Sequence, residues 1–327
     1  MAEMGRRVPF VSVVVPVYNG ESTIADVLRC ISELNYPEDK VEVIVVDDGS
    51  SDGTVPIVKE YPVALIQKGH GGYPSTMNAG ARVATGEIVV IVDADIYLEQ
   101  DWLTLIVAEF NDPEVGIVSG YIATKPTAGF WARVVGFESE DRYDRMRSGY
   151  VDFITSASTA YRREVFEQVG FFNEKLRRGS DEDLAQRALR ASWKIVLQKD
   201  AVCYHEWVPS LGKYFKNQVL NMVYQIKNFF WSPELMRGKE QHPVSLYIPL
   251  ILAFLIVLTP LWVVLGVAWL ALLAFLCLVL YHVPPAARII QKHGDWSMLL
   301  FPVAFNVRYF AWLIGLAIGL FSFPKSK

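Results

Sequence analysis

The chain has 327 residues, enough for one large domain or two ordinary ones. Charged residues make up only 20% of it and hydrophobic residues 52%; with a formal charge of -4 and no basic stripe carrying interleaved aromatics, the sequence argues against a nucleic-acid partner. Cys30, Cys203 and Cys277 lie far apart, which fits neither a disulfide framework nor a zinc site.

Short apolar, β-branched runs at 11–15, 43–46, 63–66, 88–92 and 115–118 alternate with helix-suited segments at 22–34, 54–60 and 75–84. Strands apolar on both faces in this rhythm predict a largely parallel sheet covered by helices. In such sheets ligands collect beyond the carboxyl ends of the strands. Those ends carry Pro16-Val17-Tyr18-Asn19, Asp47-Asp48-Gly49-Ser50, Lys68-Gly69-His70-Gly71 and Asp93-Ala94-Asp95. A dinucleotide fold needs Gly-x-Gly-x-x-Gly after its first strand, and Pro16-Val17-Tyr18-Asn19-Gly20 stands there instead, which argues against nicotinamide binding.

Asp47 to Thr54 forms an acidic turn whose carboxylates can accept from nucleobase N–H groups or ribose hydroxyls, while Ser51 or Asp52 caps the next helix. Asp93 and Asp95 fall on one side of an extended chain, with the small Ala94 between them. Two adjacent carboxylates repel unless a cation neutralises them, and Mg²⁺ or Mn²⁺ takes one or two carboxylates and shares substrate phosphate oxygens. Solvated loop acids are the competing explanation.

Ser180-Asp181-Glu182-Asp183-Leu184 opens a helix expected over 183–192. Its acids either complement the helix dipole or place a base opposite a leaving group. A further apolar run at 194–203 leads to His205, either a structural imidazole or a further ligand of the metal. Leu211, Phe215, Val219, Met222 and Ile226 then recur at helical spacing among Lys213, Lys216 and Lys227. Such a basic amphipathic helix suits an anionic lipid surface, or packs against the soluble domain.

No Asp, Glu, Lys or Arg occurs from Val244 to Val283, a run too long for one span of roughly 20 residues. Pro260 interrupts it, so two spans, 244–260 and 262–282, are expected around a tight turn, with a third at 299–323. Arg237, Lys239, Arg288 and Lys292 flank the first two spans on the side of the soluble domain, which places that domain in the cytoplasm of a multi-pass protein. A third crossing leaves the Lys-Ser-Lys tail outside. Arg308 inside the last span is either a contact for an anionic lipid headgroup or a side chain snorkelling to the interface.

The segments VSVVVPVYNGE at 11–21, VVDDGSSDGT at 45–54, NAGARVATGEIVVIVDAD at 78–95 and GSDEDLAQR at 179–187 resemble, in order, the motifs of glycosyltransferase family 2. The resemblance implies a GT-A fold, Rossmann-like and α/β with a mostly parallel sheet, over residues 1–207. An interfacial helix and linker at 208–243 and a helical membrane region at 244–327 complete the expected organisation. It implies a nucleotide diphosphate sugar as donor and a divalent metal, Mg²⁺ or Mn²⁺, held through Asp-x-Asp. By similarity Pro16, Tyr18 and Glu21 lie around the base and Asp47 and Asp48 bind the nucleoside. Asp93 and Asp95 hold the diphosphate and metal, with Ala94 beside the nucleotide sugar; apart from the resemblance, His205 after its apolar run is a candidate to complete the metal site or to touch the diphosphate. Asp181 matches the family's base, with Glu182 and Asp183 as alternatives, although Ser180 stands where Glu is commoner. Residues 155–163 resemble the acceptor side, which brings in Ser156 and the pair Arg162 and Arg163. Relatives carry a basic residue before Asn-x-Gly; here Lys68, the candidate for the nucleotide sugar, comes early and Gly-Gly-Tyr-Pro-Ser fills 71–75, which leaves open the side chain that reaches the donor phosphate.

Processive members carry Gln-x-x-Arg-Trp near residue 218. Gln218 is present here, but Asn221 and Met222 replace Arg and Trp. The expected activity is therefore inverting transfer of one sugar from a UDP- or GDP-linked donor to a membrane lipid such as a polyprenyl phosphate. A polymer-extending synthase of the family and a nucleotidyltransferase are the alternatives, and a homo-oligomer is left open.

Overall fold

The computed structural model describes residues 8–152, 157–231 and 247–322. Ser156, Arg237, Lys239 and the Lys-Ser-Lys tail lie outside them, as do the start of the 244–260 segment and the end of the 299–323 segment. The chain divides into two compact units, Met1–Ala123 with Arg145–Glu206, and Thr124–Asp144 with Trp207–Lys327. A boundary at 207 alone does not include the excursion at 124–144.

The first unit holds strands β1 (Val11–Val17), β2 (Val41–Asp47), β3 (Ala64–Gln67), β4 (Ile88–Val92), β5 (Ile96–Leu98), β6 (Val115–Thr124), β7 (Gly149–Tyr150), β8 (Ser158–Arg162) and β9 (Lys194–His205). Its helices are α1 (Ile24–Ser32), α2 (Thr54–Val58), α3 (Tyr73–Val83) and α4 (Trp102–Glu109), then, after α5 (Phe130–Arg145) of the second unit, α6 (Arg163–Val169) and α7 (Ser180–Arg190). Strands run in the order β3-β2-β1-β4-β8-β6-β9-β5, with β7 beside β9.

β1 pairs in parallel with β2 and β4, and β2 with β3. Every residue of β1 and β4 is buried, as strands covered on both faces require. The other half of the sheet is mixed. β8 lies antiparallel to β4 and β6, and β9 is antiparallel to β5 and β7. Asn78 ties the covering layer together: its side chain donates to the Phe172 carbonyl and accepts from the Phe172 amide, each at 2.9 Å. α7 begins at Ser180 rather than 183, because Gly179 in the left-handed region (φ 80°) ends the preceding turn.

The second unit contains α5 and then α8 (Leu211–Trp231), α9 (Tyr247–Val257), α10 (Thr259–Val264), α11 (Trp269–Tyr281), α12 (Val283–His293), α13 (Phe301–Ala304) and α14 (Val307–Phe321). Among the described residues two helical stretches, Trp269–His293 with 25 residues and Trp296–Phe321 with 26, are long and apolar enough to cross a membrane; Ile248–Val257 is shorter. The expected turn at Pro260 is instead the first turn of α10, where a missing N–H leaves no bond unmade. The break falls at Gly266, whose φ is 69°. Val264, Leu272, Leu280 and Phe321 are among many large apolar side chains left exposed.

α8 packs along α14. A Cβ on Gly315 would come within 2.5 Å of the Val219 carbonyl, and one on Gly319 within 3.0 Å of Ile226, so these two glycines let the backbones approach. Trp312 Nε1 donates to Gln218 Oε1 at 2.9 Å across the same contact. The apolar stripe of α8 is thus met by the last helix, a partner the amphipathic pattern alone does not name.

α5 is bound to the C-terminal helices by opposite charges. Arg288 donates to both oxygens of Asp141 at 2.6 and 2.9 Å. Lys292 reaches Glu140 at 3.1 Å and Asp144 at 2.8 Å, and Phe137 stacks on His293 at 3.8 Å. Arg288 and Lys292, counted above as loop charges that orient the chain, are therefore paired with acids of α5.

Candidate active site

The carboxyl edge of the parallel half is organised by backbone amides that fold onto acids. Asn19 adopts φ 51°, a conformation Asn tolerates better than most residues. Its side chain accepts from Ser51 N at 2.8 Å, and its own amide donates to Ser50 Oγ at 2.8 Å. Glu21 accepts from Gly53 N at 2.6 Å, while Asp52 accepts from Glu21 N at 3.2 Å. The turn after β1 is thereby fastened to the turn after β2. Pro16 belongs to the buried β1, and Glu21 is engaged in this lattice.

Asp47 is buried at the end of β2 and accepts from Ser50 N at 3.2 Å. Asp48 is the centre of a denser cluster. Its oxygens accept from the Gly71 and Gly72 amides at 2.9 Å each and from Lys68 Nζ at 2.5 Å, and His70 Nδ1 lies 2.9 Å away. Burial pushes the Asp48 carboxyl up, but hydrogen bonds from Lys68, Gly71, Gly72 and Thr76 outweigh it and hold the group below the usual carboxylate range. Gly72 has φ 89°, which aims its amide at Asp48 while it starts α3. The loop so held brings the His70 ring 4.4 Å from that of Tyr18, half of which is exposed. His70 was legible only as part of the segment after β3, and Tyr73 only as part of Gly-Gly-Tyr-Pro-Ser; neither was assigned.

Asp93 and Asp95 follow β4, but not in the extended arrangement expected from alternation. Ile96 N donates to the Asp93 carbonyl at 3.0 Å, so Asp93 to Ile96 is a turn into β5. Ala94 sits inside that turn. Burial and then the Asp95 charge push the Asp93 carboxyl up to about 7, the Asp181 charge adds to this, and Tyr73 and His205 act against it. Tyr73 donates its hydroxyl to Asp93 Oδ1. His205 is opposite Ile96 in the β5–β9 pairing, which puts its Nε2 3.4 Å from Asp95 Oδ2.

Asp181, in the first turn of α7, is thus close enough for its charge to act on Asp93. Asp183 is turned elsewhere, onto Arg187 at 2.7 Å. Glu182 is half-buried beside them. Arg162 and Arg163 are not brought to the acids. Arg162 is opposite Ile88 at the start of β4, whereas Asp93 follows its end. Arg162 donates to the carbonyls of Val115, Phe110 and Asp112, and Arg163 to that of Gly86. In the second unit, Arg308 lies 3.6 Å from Glu138 and over the rings of Phe305 and Trp312.

Residues 12–170 match the family profile described as Glycosyl transferase family 2. A relative named Glycosyltransferase AglE, from Haloferax volcanii, is 31% identical over 229 residues, which cover 66% of this chain and 72% of AglE. The poly-beta-1,6-N-acetyl-D-glucosamine synthase of Staphylococcus epidermidis is 23% identical over 65% of this chain, which spans 54% of that synthase's length. Among solved structures, the mannosyltransferase PcManGT of Pyrobaculum calidifontis, in complex with GDP-Man and Mn2+, superposes with a TM-score of 0.63 at 24% identity, covering 97% of this chain and 88% of that one.

Fold and site define a glycosyltransferase built on a mixed GT-A-like sheet. The chain belongs to glycosyltransferase family 2. The nucleotidyltransferase alternative falls with that assignment.

Proposed function

We propose that the protein is an inverting glycosyltransferase that moves one sugar from a UDP- or GDP-linked donor to a membrane lipid acceptor such as a polyprenyl phosphate, with Mg²⁺ or Mn²⁺ as cofactor. The observation that carries this reading is the convergence of acids from distant stretches at Asp93, whose carboxyl is raised to about 7 by burial, Asp95 and Asp181.

That donor set fits a divalent cation. Asp93 and Asp95 supply two carboxylates and His205 lies beside Asp95, while among the described residues no group of three such side chains forms a cage. A cation that shares its shell with diphosphate oxygens needs only one or two protein carboxylates. When bound, it offsets the charge that builds on the departing diphosphate. Tyr18, Asp47 and His70 face the nucleoside, and Asp48 holds the loop that carries His70. Asp181 accepts the proton of an acceptor hydroxyl as that oxygen attacks the anomeric carbon, opposite the leaving nucleoside diphosphate. A phosphate acceptor arrives ionised and needs no proton removed, so this role of Asp181 belongs to a hydroxyl acceptor.

Two long apolar stretches with exposed apolar faces favour a membrane anchor and with it a lipid acceptor. The similar fold of a mannosyltransferase solved with GDP-Man and Mn2+ supports the donor class and the cofactor. Asn221 and Met222 in place of Arg and Trp favour single transfer. Polymer extension is the second reading, favoured by the similarity to a polymer synthase.

Membranes containing the full chain, stripped with EDTA and refilled with Mn²⁺, are to be given labelled UDP- and GDP-sugars. Label in one solvent-extractable glycosyl lipid is expected. Label found only in high polymer overturns single transfer, and undiminished turnover in EDTA overturns the metal.

A further inference from the structure

We infer that Tyr73 is the residue that positions Asp93: its hydroxyl fixes Oδ1 and leaves Oδ2 to meet the cation and donor diphosphate, while Asp48, by holding the 68–72 loop, sets where Tyr73 stands. This rests on the metal-assisted transfer proposed above, and it gives Tyr73, which no sequence motif assigns, and Asp48, matched by motif to the nucleoside, positioning roles in the same site.

The argument begins with the start of α3. Tyr73 is its first residue, Pro74 follows in the first turn, and Gly72 precedes it in a conformation open to few other residues. The two amides just ahead, those of Gly71 and Gly72, both donate to Asp48, one to each carboxylate oxygen. An anion just ahead of a helix start is favoured by such amide bonds and by the helix dipole together. Lys68 adds a third bond to Asp48, so the loop is closed at both ends onto one buried side chain.

The Tyr73 ring is half-buried against the core that includes Val46, Met77 and Ile91, which leaves the phenol little rotational freedom. Its hydroxyl then meets Asp93 Oδ1. The phenol hydroxyl offers one donor at a point fixed by the ring. A bond of this kind chooses which carboxylate oxygen turns outward, the role an outer partner plays for a metal ligand. Residues Lys68, Asp48, Tyr73 and Asp93 come from the ends of three strands and the start of one helix, and the contact is made only by the fold.

The experiment uses the full chain in detergent and two variants, Tyr73→Phe and Asp48→Asn. Mn²⁺ affinity is titrated by electron paramagnetic resonance at saturating UDP or GDP, whichever the wild type binds. Nucleoside diphosphate affinity is measured separately in EDTA by calorimetry. Tyr73→Phe, which removes one oxygen and keeps the ring, is expected to weaken Mn²⁺ roughly 10- to 100-fold and leave the EDTA affinity unchanged. Asp48→Asn is expected to weaken Mn²⁺ as well, and the double variant to be no worse than the poorer single one, because both act through one contact.

Unchanged Mn²⁺ affinity in Tyr73→Phe, or an equal loss in EDTA, overturns the role of Tyr73. Additive losses in the double variant overturn the link to Asp48. Failure of the underlying reading looks different: wild-type protein then binds no Mn²⁺, Asp93→Asn matches it, and the inference falls with the metal.

Discussion

Arg187 donates from Nε to Asp183 Oδ2 at 2.9 Å, and the rest of its guanidinium reaches the carbonyls of Val169, Gly170 and Phe171. Asp183 thus steadies the guanidinium that fastens α7 to the turn after α6, while Asp181, two residues earlier, acts on Asp93. Neighbouring acids in one helical turn are given separate tasks by the direction each faces.

The two acids are expected to fail differently. Asp183→Asn should lower the melting temperature in detergent, with a loss of about 2 kcal/mol for a charged hydrogen bond in a partly buried setting. Asp181→Asn should melt like the wild type yet lose turnover on a hydroxyl acceptor by roughly 100- to 10,000-fold. Melting curves and initial rates on both variants test this. Turnover retained in Asp181→Asn with a hydroxyl acceptor moves the base elsewhere.

The parallel half of the site was legible because β1 and β4 are apolar on both faces, so their carboxyl ends could be found without coordinates. Of the antiparallel half only β6 and β9 were legible, as the apolar runs at 115–118 and 194–203. β8 reads Ser-Thr-Ala-Tyr-Arg, a short and partly polar run that becomes a central strand only because β4 and β6 flank it. β5 has three residues and owes its existence to pairing with β9, which is also what carries His205 to Asp95. Asp47, Asp48, Asp93 and Asp181 were all found as acids at strand or helix ends. What occupies Asp48 and Asp93 was hidden, because Lys68, Gly71, Gly72 and Tyr73 reach them through a loop whose path depends on tertiary contacts. The place of α5 was hidden for the same reason. Its acids meet Arg288 and Lys292, some 150 positions along the chain.

Metal binding should depend on pH in a defined direction. Burial, then the Asp95 charge, raises Asp93 to about 7, against roughly 3.9 in an unfolded chain. Between those values the folded protein keeps a proton the unfolded one has lost, so the contribution of Asp93 to stability falls as pH rises and changes no further above about 7. Mn²⁺ must displace that proton, so its affinity should climb about tenfold per pH unit below pH 7 and level off above it. Asp95→Asn removes the largest neighbouring charge, and the break should move to lower pH. Titrations over about pH 5.5 to 8 check both; a flat profile, or an unmoved break in Asp95→Asn, contradicts the assignment.

The bidentate bond between Asp141 and Arg288 links α5 to α12. The Asp141 side chain is buried and that of Arg288 is nearly half exposed, so water screens one partner only. Asp141→Ala should therefore cost about 1–3 kcal/mol, through an unpaired guanidinium and a lost pair of bonds. Arg288→Ala takes both guanidinium bonds from the buried carboxylate and should cost at least as much. The double variant should lose less than the sum of the two. Melting in detergent measures all three, and simple additivity would show that the pair does not interact.

Gly315 and Gly319 test the packing of α8 on α14. A Cβ at 315 would lie 2.5 Å from a backbone carbonyl of α8, which cannot rotate away, whereas at 319 its nearest neighbour is Ile226 Cβ at 3.0 Å, a smaller overlap. Gly315→Ala should therefore separate the helices more than Gly319→Ala, with an overpacking cost of about 1–3 kcal/mol at 315 and less at 319. Separation also pulls Trp312 Nε1 from Gln218, so the emission of that indole should shift in Gly315→Ala, against a Trp312→Phe control that identifies its signal. If α8 instead rests on a lipid surface with its apolar stripe in the headgroups, both variants keep the wild-type melting temperature and emission, and vesicle composition rather than residue 315 governs the helix.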